Sequence, residues 1–362
     1  MLTIFEKMIF TYLPNDLLMD SIINFENGSF ALFKDMQNNI LDIDILEQLI
    51  NEFQQNVEQG IIVVEEYDFD ISVIVSFSTK KKQMFENTQY GLDIVKEKNK
   101  TIICANDLIS TVKNEAIKNT KTIQMIQTAI NNNKVVSYFQ AITNNKTMEV
   151  EKYESLIRII DENGKVISPY FFLDVAKESG YYSKLTNIVL QNSFDALTKL
   201  NTEVSINLSA IDIENSIIRN KIISLLKQYK KYSHRVVFEL LEDEQIKDFN
   251  TVKEFITLVK SYGVKIAIDD FGAGVSNFER LLDYQPDVLK IDACLIKNLD
   301  QDKYSKDVVE TIQIFAWKQD IKTVAEFVET PNILKTVKDI GINYTQGYLL
   351  GKPMLLEDIL NT

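Results

Sequence analysis

The 362-residue chain reads as an α/β protein, with an eight-stranded (β/α) barrel over residues 134–362 behind a smaller mixed α/β unit. Three observations predict this. Eight short apolar runs recur after residue 133, helical patterns separate most of them, and carboxylates, an amide and a lysine collect where those runs end.

The first unit spans residues 1–105. Leu2, Phe5, Met8, Ile9 and Leu13 have helical spacing, and Pro14 stands where that helix must stop. Ile22–Ile23 and Phe30–Phe33 flank the turn-like Glu26-Asn27-Gly28-Ser29 and predict a β-hairpin. An amphipathic helix follows over Asp44–Val57, then strands over Ile61–Glu65 and Asp70–Ser78, and a closing helix over Asn87–Glu97. Residues 106–133 carry loosely helical apolar spacing without Pro or Gly, which predicts a helical connector.

The barrel strands are predicted at Val135–Ile142, Tyr153–Ile159, Glu203–Asn207, Val236–Leu240, Val264–Ile268, Val288–Ile291, Thr323–Ala325 and Tyr344–Leu349. Helices are predicted at Phe171–Glu178, Ile188–Leu200, Ile217–Tyr229, Val252–Ser261, Ser305–Gln319 and Asn332–Ile340. The first connection, Thr143 to Lys152, contains Asn144-Asn145 and is too short for a crossover helix. The first two strands are therefore expected to be antiparallel.

Composition excludes several functions. A net charge of −13 argues against binding duplex nucleic acid, which needs a basic face. One histidine, His234, rules out any site built on two imidazoles, and its neighbours place it at the surface. Cys104 and Cys294 form no CxxC pair, which fits a reduced, cytoplasmic setting. No run of 18 apolar residues is present to span a membrane, and the N-terminus does not have the pattern of a signal peptide.

The stretch Lys265–Gly274 carries the chemistry. An apolar strand delivers Asp269 and Asp270 side by side, followed by Gly272 and Gly274. At about 4 Å and an effective dielectric near 20, two such charges repel by roughly 4 kcal/mol. Either a divalent cation offsets this, or the pair is a solvated turn. The other strand ends weigh on that choice: Glu154 and Arg158, Asn207, Glu239 and Glu242, Lys290, Glu326, and Gln346. Glu, Asn and Asp are oxygen ligands suited to magnesium or manganese rather than zinc. A lysine and a further glutamate could position or deprotonate a water, and an arginine could hold a phosphate oxygen. Metal-assisted hydrolysis of a phosphodiester is the reaction class that fits.

Read in order, Glu154-Ser155-Leu156, Asn207-Leu208-Ser209, Glu239-Leu240-Leu241-Glu242, Asp269–Gly272, Lys290-Ile291-Asp292, Ala325–Glu329 and Gln346-Gly347-Tyr348 resemble the motifs of the EAL domain. The resemblance runs from about residue 120 to the end. It implies a TIM-like barrel with an antiparallel first strand that hydrolyses cyclic di-GMP to linear pGpG. It further implies one or two Mg2+ or Mn2+ ions per site, with Ca2+ inhibitory, and a homodimer through this domain. Glu154, Asn207, Glu239 and Asp269 would bind the first metal, and Asp270 a second. Lys290, Glu326 and Gln346 would serve the attacking water. Gln140, Leu156 and Arg158 would contact the dinucleotide, and Glu242 would brace the loop after Asp270. The alternative is a catalytically silent cyclic di-GMP receptor that acts through a protein partner.

Several residues depart from the family pattern. Ser155 replaces Ala, Ala141 replaces a Pro and is expected to loosen its strand end, Ile159 replaces Trp, and Phe327 replaces Gly. Phe327 could alter Glu326 or pack outward. The loop Ala273–Phe278 also differs, which points to altered regulation. The first unit, for its part, resembles a shortened GGDEF domain through its hairpin and Tyr90–Lys96. Gly28 and Ser29 occupy that domain's two acidic positions, so no cyclase activity is expected. The start at Met1 within such a unit suggests a reduced domain or a fragment of a longer sensor.

Overall fold

Inward–outward alternation along seven parallel strands and one antiparallel strand organises the larger of two compact units, residues 121–362; the smaller is residues 1–120. The computed structural model describes residues 7, 9–17, 20–25, 28–35, 42–64, 67–241, 248–273 and 283–361.

In the smaller unit, β1 (Ser21–Asn24) and β2 (Phe30–Phe33) form the expected antiparallel hairpin. The helix Ile43–Glu58 starts at Asp42, whose side chain accepts from Asp44 N. Its buried face, Leu46, Ile50, Phe53 and Val57, packs with Ile9, Leu13 and Leu17. The strand expected over Asp70–Ser78 is two separate strands. β4 (Tyr67–Asp70) pairs with β3 (Ile61–Val64), whereas β5 (Val75–Phe77) runs parallel to β6 (Ile102–Cys104), which the sequence reading missed. At the break Gln54 Nε2 donates to the Val73 carbonyl at 2.8 Å, and it also reaches the Thr101 carbonyl at 2.8 Å, which accepts from Val75 N as well. The helix Met84–Glu97 lies close over β5 and β6, since a Cβ on Gly91 would come 2.2 Å from Ser76 Oγ. The expected connector is helical over Leu108–Asn131.

In the larger unit, β7 (Val135–Asn144) and β8 (Val150–Ile160) are antiparallel, as the short connection required. From β8 the sheet passes through β10 (Glu203–Leu208), β11 (Val236–Leu241), β12 (Lys265–Phe271), β13 (Val288–Ile291), β14 (Lys322–Ala325) and β15 (Tyr344–Gln346). It closes on β7. Short strands β9 (Val166–Ile167) and β16 (Met354–Leu355) flank β8 and β7. The last strand ends earlier than expected. Gly347 is pressed against the backbone of Val328, and Leu350 N turns back to Gly347 O.

Alternation sorts the strand residues into layers. Outward residues such as Val204, Ile206, Phe238, Ile266 and Leu289 form the main core with the surrounding helices. Inside, Lys152, Glu203, Lys265 and Tyr344 fill the floor; Lys152 meets Glu203 at 2.7 Å and lies 4.5 Å over the Tyr344 ring. Above them Ile142, Val237, Ala267, Val288 and Val324 form an apolar layer. The next inward positions are polar. Among the described residues no helix is long and apolar enough to cross a membrane.

Candidate active site

Those upper positions hold Gln140, Glu154, Asn207, Glu239, Asp269, Lys290, Glu326 and Gln346, supplied by eight different strands or the residues directly after them. Two-residue spacing puts each above the apolar layer: Val237 then Glu239, Ala267 then Asp269, Val288 then Lys290, Val324 then Glu326. Eight residues named from sequence thus meet in one network.

Lys290 is the hub. Its Nζ lies 2.8 Å from Asp269, 2.9 Å from Glu239, 2.9 Å from Glu326 and 3.4 Å from Glu154. Asn207 Nδ2 donates to Glu154 Oε1 at 2.7 Å, leaving the Asn207 carbonyl oxygen available to the cluster. Gln346 Nε2 donates to Glu154 Oε2 at 2.7 Å and to Gln140 Oε1 at 3.2 Å. Gln140 Nε2 reaches Gly351 O at 3.1 Å, so this residue sits inside the network at its edge. Ala141, beside it, pairs with Tyr153, and the register with β8 shifts just beyond, between Ile142 and Thr143.

Asp269 and Asp270 are turned by a bulge. The pairing of β12 with β13 slips between Ile268 and Phe271, and Asp270 takes φ = 55°. Asp tolerates that left-handed conformation better than most residues, and bulges re-aim side chains beside sites. One oxygen each of Glu154, Glu239 and Asp269 lies within 4.8 Å of the others, as does one each of Asp269, Asp270 and Glu326. Glu326 therefore stands with Asp270, a proximity sequence reasoning did not anticipate.

The charge balance decides what the cluster can accept. Burial pushes the Glu239 carboxyl up to about 8, with Glu154 and Asp269 adding to the effect against Lys290. Burial likewise raises Asp269 and Glu326, and it brings Asp270 to about 6 with help from Asp269 and Asp292. Burial opposes ionisation of Glu154 too, but Lys290 and the hydrogen bonds from Gln346 and Asn207 hold it below the usual range. Burial disfavours the Lys290 charge, yet the four carboxylates outweigh it and keep the ammonium protonated. One ammonium faces five carboxylates. Gln346 Oε1 is buried and accepts no hydrogen bond among the described residues. An all-oxygen donor set with surplus negative charge and an unpaired amide oxygen fits a hard divalent cation.

Leu156 and Arg158 follow Glu154 on the same face of β8. Burial lowers the Arg158 pKa, opposed by Tyr348, Glu154 and Tyr138, and its Nη1 donates to Ile157 O at 2.8 Å. Glu242 and residues 274–278 of the altered loop lie outside the described residues.

Two departures gain an explanation. Ser155 points away from Glu154 and shares a 2.7 Å hydrogen bond with the hydroxyl of buried Ser193, on the helix Tyr182–Ala196. Phe327 adopts φ = 55°, a conformation that suits glycine, and its ring is 46% exposed with Lys297 5.9 Å away. It packs outward and leaves Glu326 on Lys290. Sequence reading missed Asp212, whose carboxylate binds Ser209 just beyond Asn207. The Ser-x-x-Asp spacing of a capping box was the available signal.

Residues 123–353 match the model of the EAL domain family, well over half of the chain. The chain belongs to the EAL family. It is 32% identical over 214 residues to the cyclic di-GMP phosphodiesterase PdeF of Escherichia coli K12, covering 58% of this chain and 29% of that protein. It is 29% identical over 252 residues to the probable cyclic di-GMP phosphodiesterase PdeA of the same organism, covering 68% and 34%. The chain thus spans about a third of the length of these curated relatives. The PaMucR phosphodiesterase in its c-di-GMP complex superposes with a TM-score of 0.62 at 24% identity, over 66% of this chain and 99% of that one, a likeness of fold.

Proposed function

We propose that this EAL chain hydrolyses cyclic di-GMP to linear pGpG with Mg2+ or Mn2+, Ca2+ being inhibitory. The supporting observation is the set of five carboxylates and an asparagine gathered around Lys290. Relatives named as cyclic di-GMP phosphodiesterases favour this substrate.

In this reading Glu154, Asn207, Glu239 and Asp269 hold a first cation, and Asp269, Asp270 and Glu326 a second. Bound there, a divalent cation lowers the pKa of a water and neutralises charge on the scissile phosphate. Glu326 can accept that water's proton. Lys290, kept protonated, cannot act as a base; it holds four carboxylates in place and donates. Gln346 orients Glu154, while Gln140, Leu156 and Arg158 meet the dinucleotide, Arg158 by charge-assisted bonds to phosphate. Water adds to phosphorus, the bond from phosphorus to the ribose O3′ breaks, and O3′ leaves with a proton. Glu242 braces the loop after Asp270.

In the same reading residues 1–105 form a shortened GGDEF-like domain without cyclase activity, 106–133 a helical connector and 134–362 the phosphodiesterase domain. The protein works in the cytoplasm as a homodimer. Purified protein incubated with cyclic di-GMP and Mg2+ or Mn2+ should release pGpG, and Glu154→Ala should abolish release while the protein stays folded. Tight binding of cyclic di-GMP without turnover under either metal would instead make the chain a silent receptor.

A further inference from the structure

Asn207 is exposed, so packing does not fix its side chain, yet its placement decides whether its carbonyl oxygen completes the cation site. The chain just beyond it is tightly held. Asp212, only 1% exposed, accepts hydrogen bonds from Ser209 N at 3.0 Å, Ser209 Oγ at 2.8 Å, Tyr182 Oη at 2.9 Å and Thr186 Oγ1 at 2.9 Å. Tyr182 Oη also lies 3.0 Å from Ser209 Oγ, which in turn accepts from Asp212 N at 3.2 Å.

A capping box needs only the two reciprocal bonds between Ser209 and Asp212. The two further hydroxyls come from another element, the helix Tyr182–Ala196, and tie the exit of β10 to it. The buried Asp212 carboxylate is thus met by hydrogen bonds from two elements. Removing one hydroxyl would unbalance a carboxylate that anchors the residue two places after Asn207.

We propose that Asp212 and Tyr182 form a positioning bracket that sets the affinity of the first cation site through Asn207. The inference rests on the assignment of Glu154, Asn207, Glu239 and Asp269 to that site. Neither bracket residue touches the reacting atoms. Its effect therefore shows in metal affinity and disappears when Asn207 cannot ligate.

The test is a titration with Mn2+ alone, free ion being followed by electron paramagnetic resonance, on the full chain. Tyr182→Phe and Asp212→Asn should each weaken Mn2+ binding by about tenfold, the scale of losses seen when groups supporting a ligand are removed. In an Asn207→Ala background the same changes should shift affinity less than twofold. Tyr182→Phe keeps the ring and removes a single hydroxyl, so it decides the question if Asp212→Asn does not fold. Unchanged Mn2+ affinity, or an equal loss with and without Asn207, overturns the bracket. If Glu154→Ala fails to weaken Mn2+ binding, the site assignment falls and the bracket with it.

Discussion

Raising the pH from 6 to 8 without metal should destabilise this protein, and a divalent cation should reverse the loss. Glu239 carries a folded-state pKa of about 8 and Asp270 of about 6, both above their unfolded values, because burial among like charges disfavours their ionised forms. A group raised on folding adds stability that is full below its unfolded pKa and is lost as pH climbs through the folded one. The window therefore opens near pH 4, and Asp270 gives up its share around 6 and Glu239 around 8. With roughly 1.4 kcal/mol per pH unit per proton, the Glu239 share between pH 6 and 8 comes to about 2 kcal/mol. That corresponds to a fall in Tm of about 4–8 °C. Metal competes with those protons, so its stabilisation, about 2.7 kcal/mol at a hundredfold excess over Kd, grows with pH. Thermal melts in EDTA and in excess Mn2+ across pH 5.5–8.5 measure both effects. Glu239→Gln, neutral at every pH, should flatten the slope in EDTA. A metal-free Tm that stays level or rises between pH 6 and 8 would refute the charge assignment.

Three substitutions probe the supports of the site. Gly347→Ala places a Cβ 2.1 Å from Val328 O and 2.4 Å from Val328 N; backbone must move, so stability should drop by about 3 kcal/mol and hydrolysis should be lost with it, by melts and turnover. Ser155→Ala removes a buried hydroxyl bonded to Ser193 and should cost about 1 kcal/mol while leaving Mn2+ affinity unchanged, since Ser155 faces away from Glu154. Phe327→Gly relieves an unfavourable φ and should raise the unfolding free energy by about 1 kcal/mol in denaturant titrations, with turnover kept within twofold.

The barrel was legible because its two periodicities are simple. Apolar runs bounded by helical patterns gave all eight strands, and the ten-residue link at Asn144-Asn145 gave the antiparallel start. The strand at Asp70–Ser78 was misjudged because hydrophobic alternation continues through Ile71–Ile74, while the backbone there is claimed by Gln54, a side chain from a distant helix. No local pattern carries that information. Similarly, Tyr344–Leu349 reads as one apolar run, but the strand ends at Gln346 because Val328 lies against Gly347. Only the closed barrel creates that approach.

The site itself was legible as a list of ligand types at strand ends, and what the list lacked was geometry. Sequence placed Glu326 with Lys290 as a helper of water. In space Glu326 also shares a 4.8 Å group with Asp269 and Asp270, made possible by the bulge between Ile268 and Phe271. A bulge shifts the alternation by one residue, here from Ile266 and Ile268 to Phe271, and with two aspartates in between the shift reads in sequence as the end of the strand. The same bulge answers what the adjacent aspartates first posed. Consecutive residues of a regular strand point to opposite faces, and two neighbouring carboxylates could not serve one centre. With Asp270 in the left-handed region both reach Glu326, and in the proposed reading the repulsion between them is what a cation would relieve.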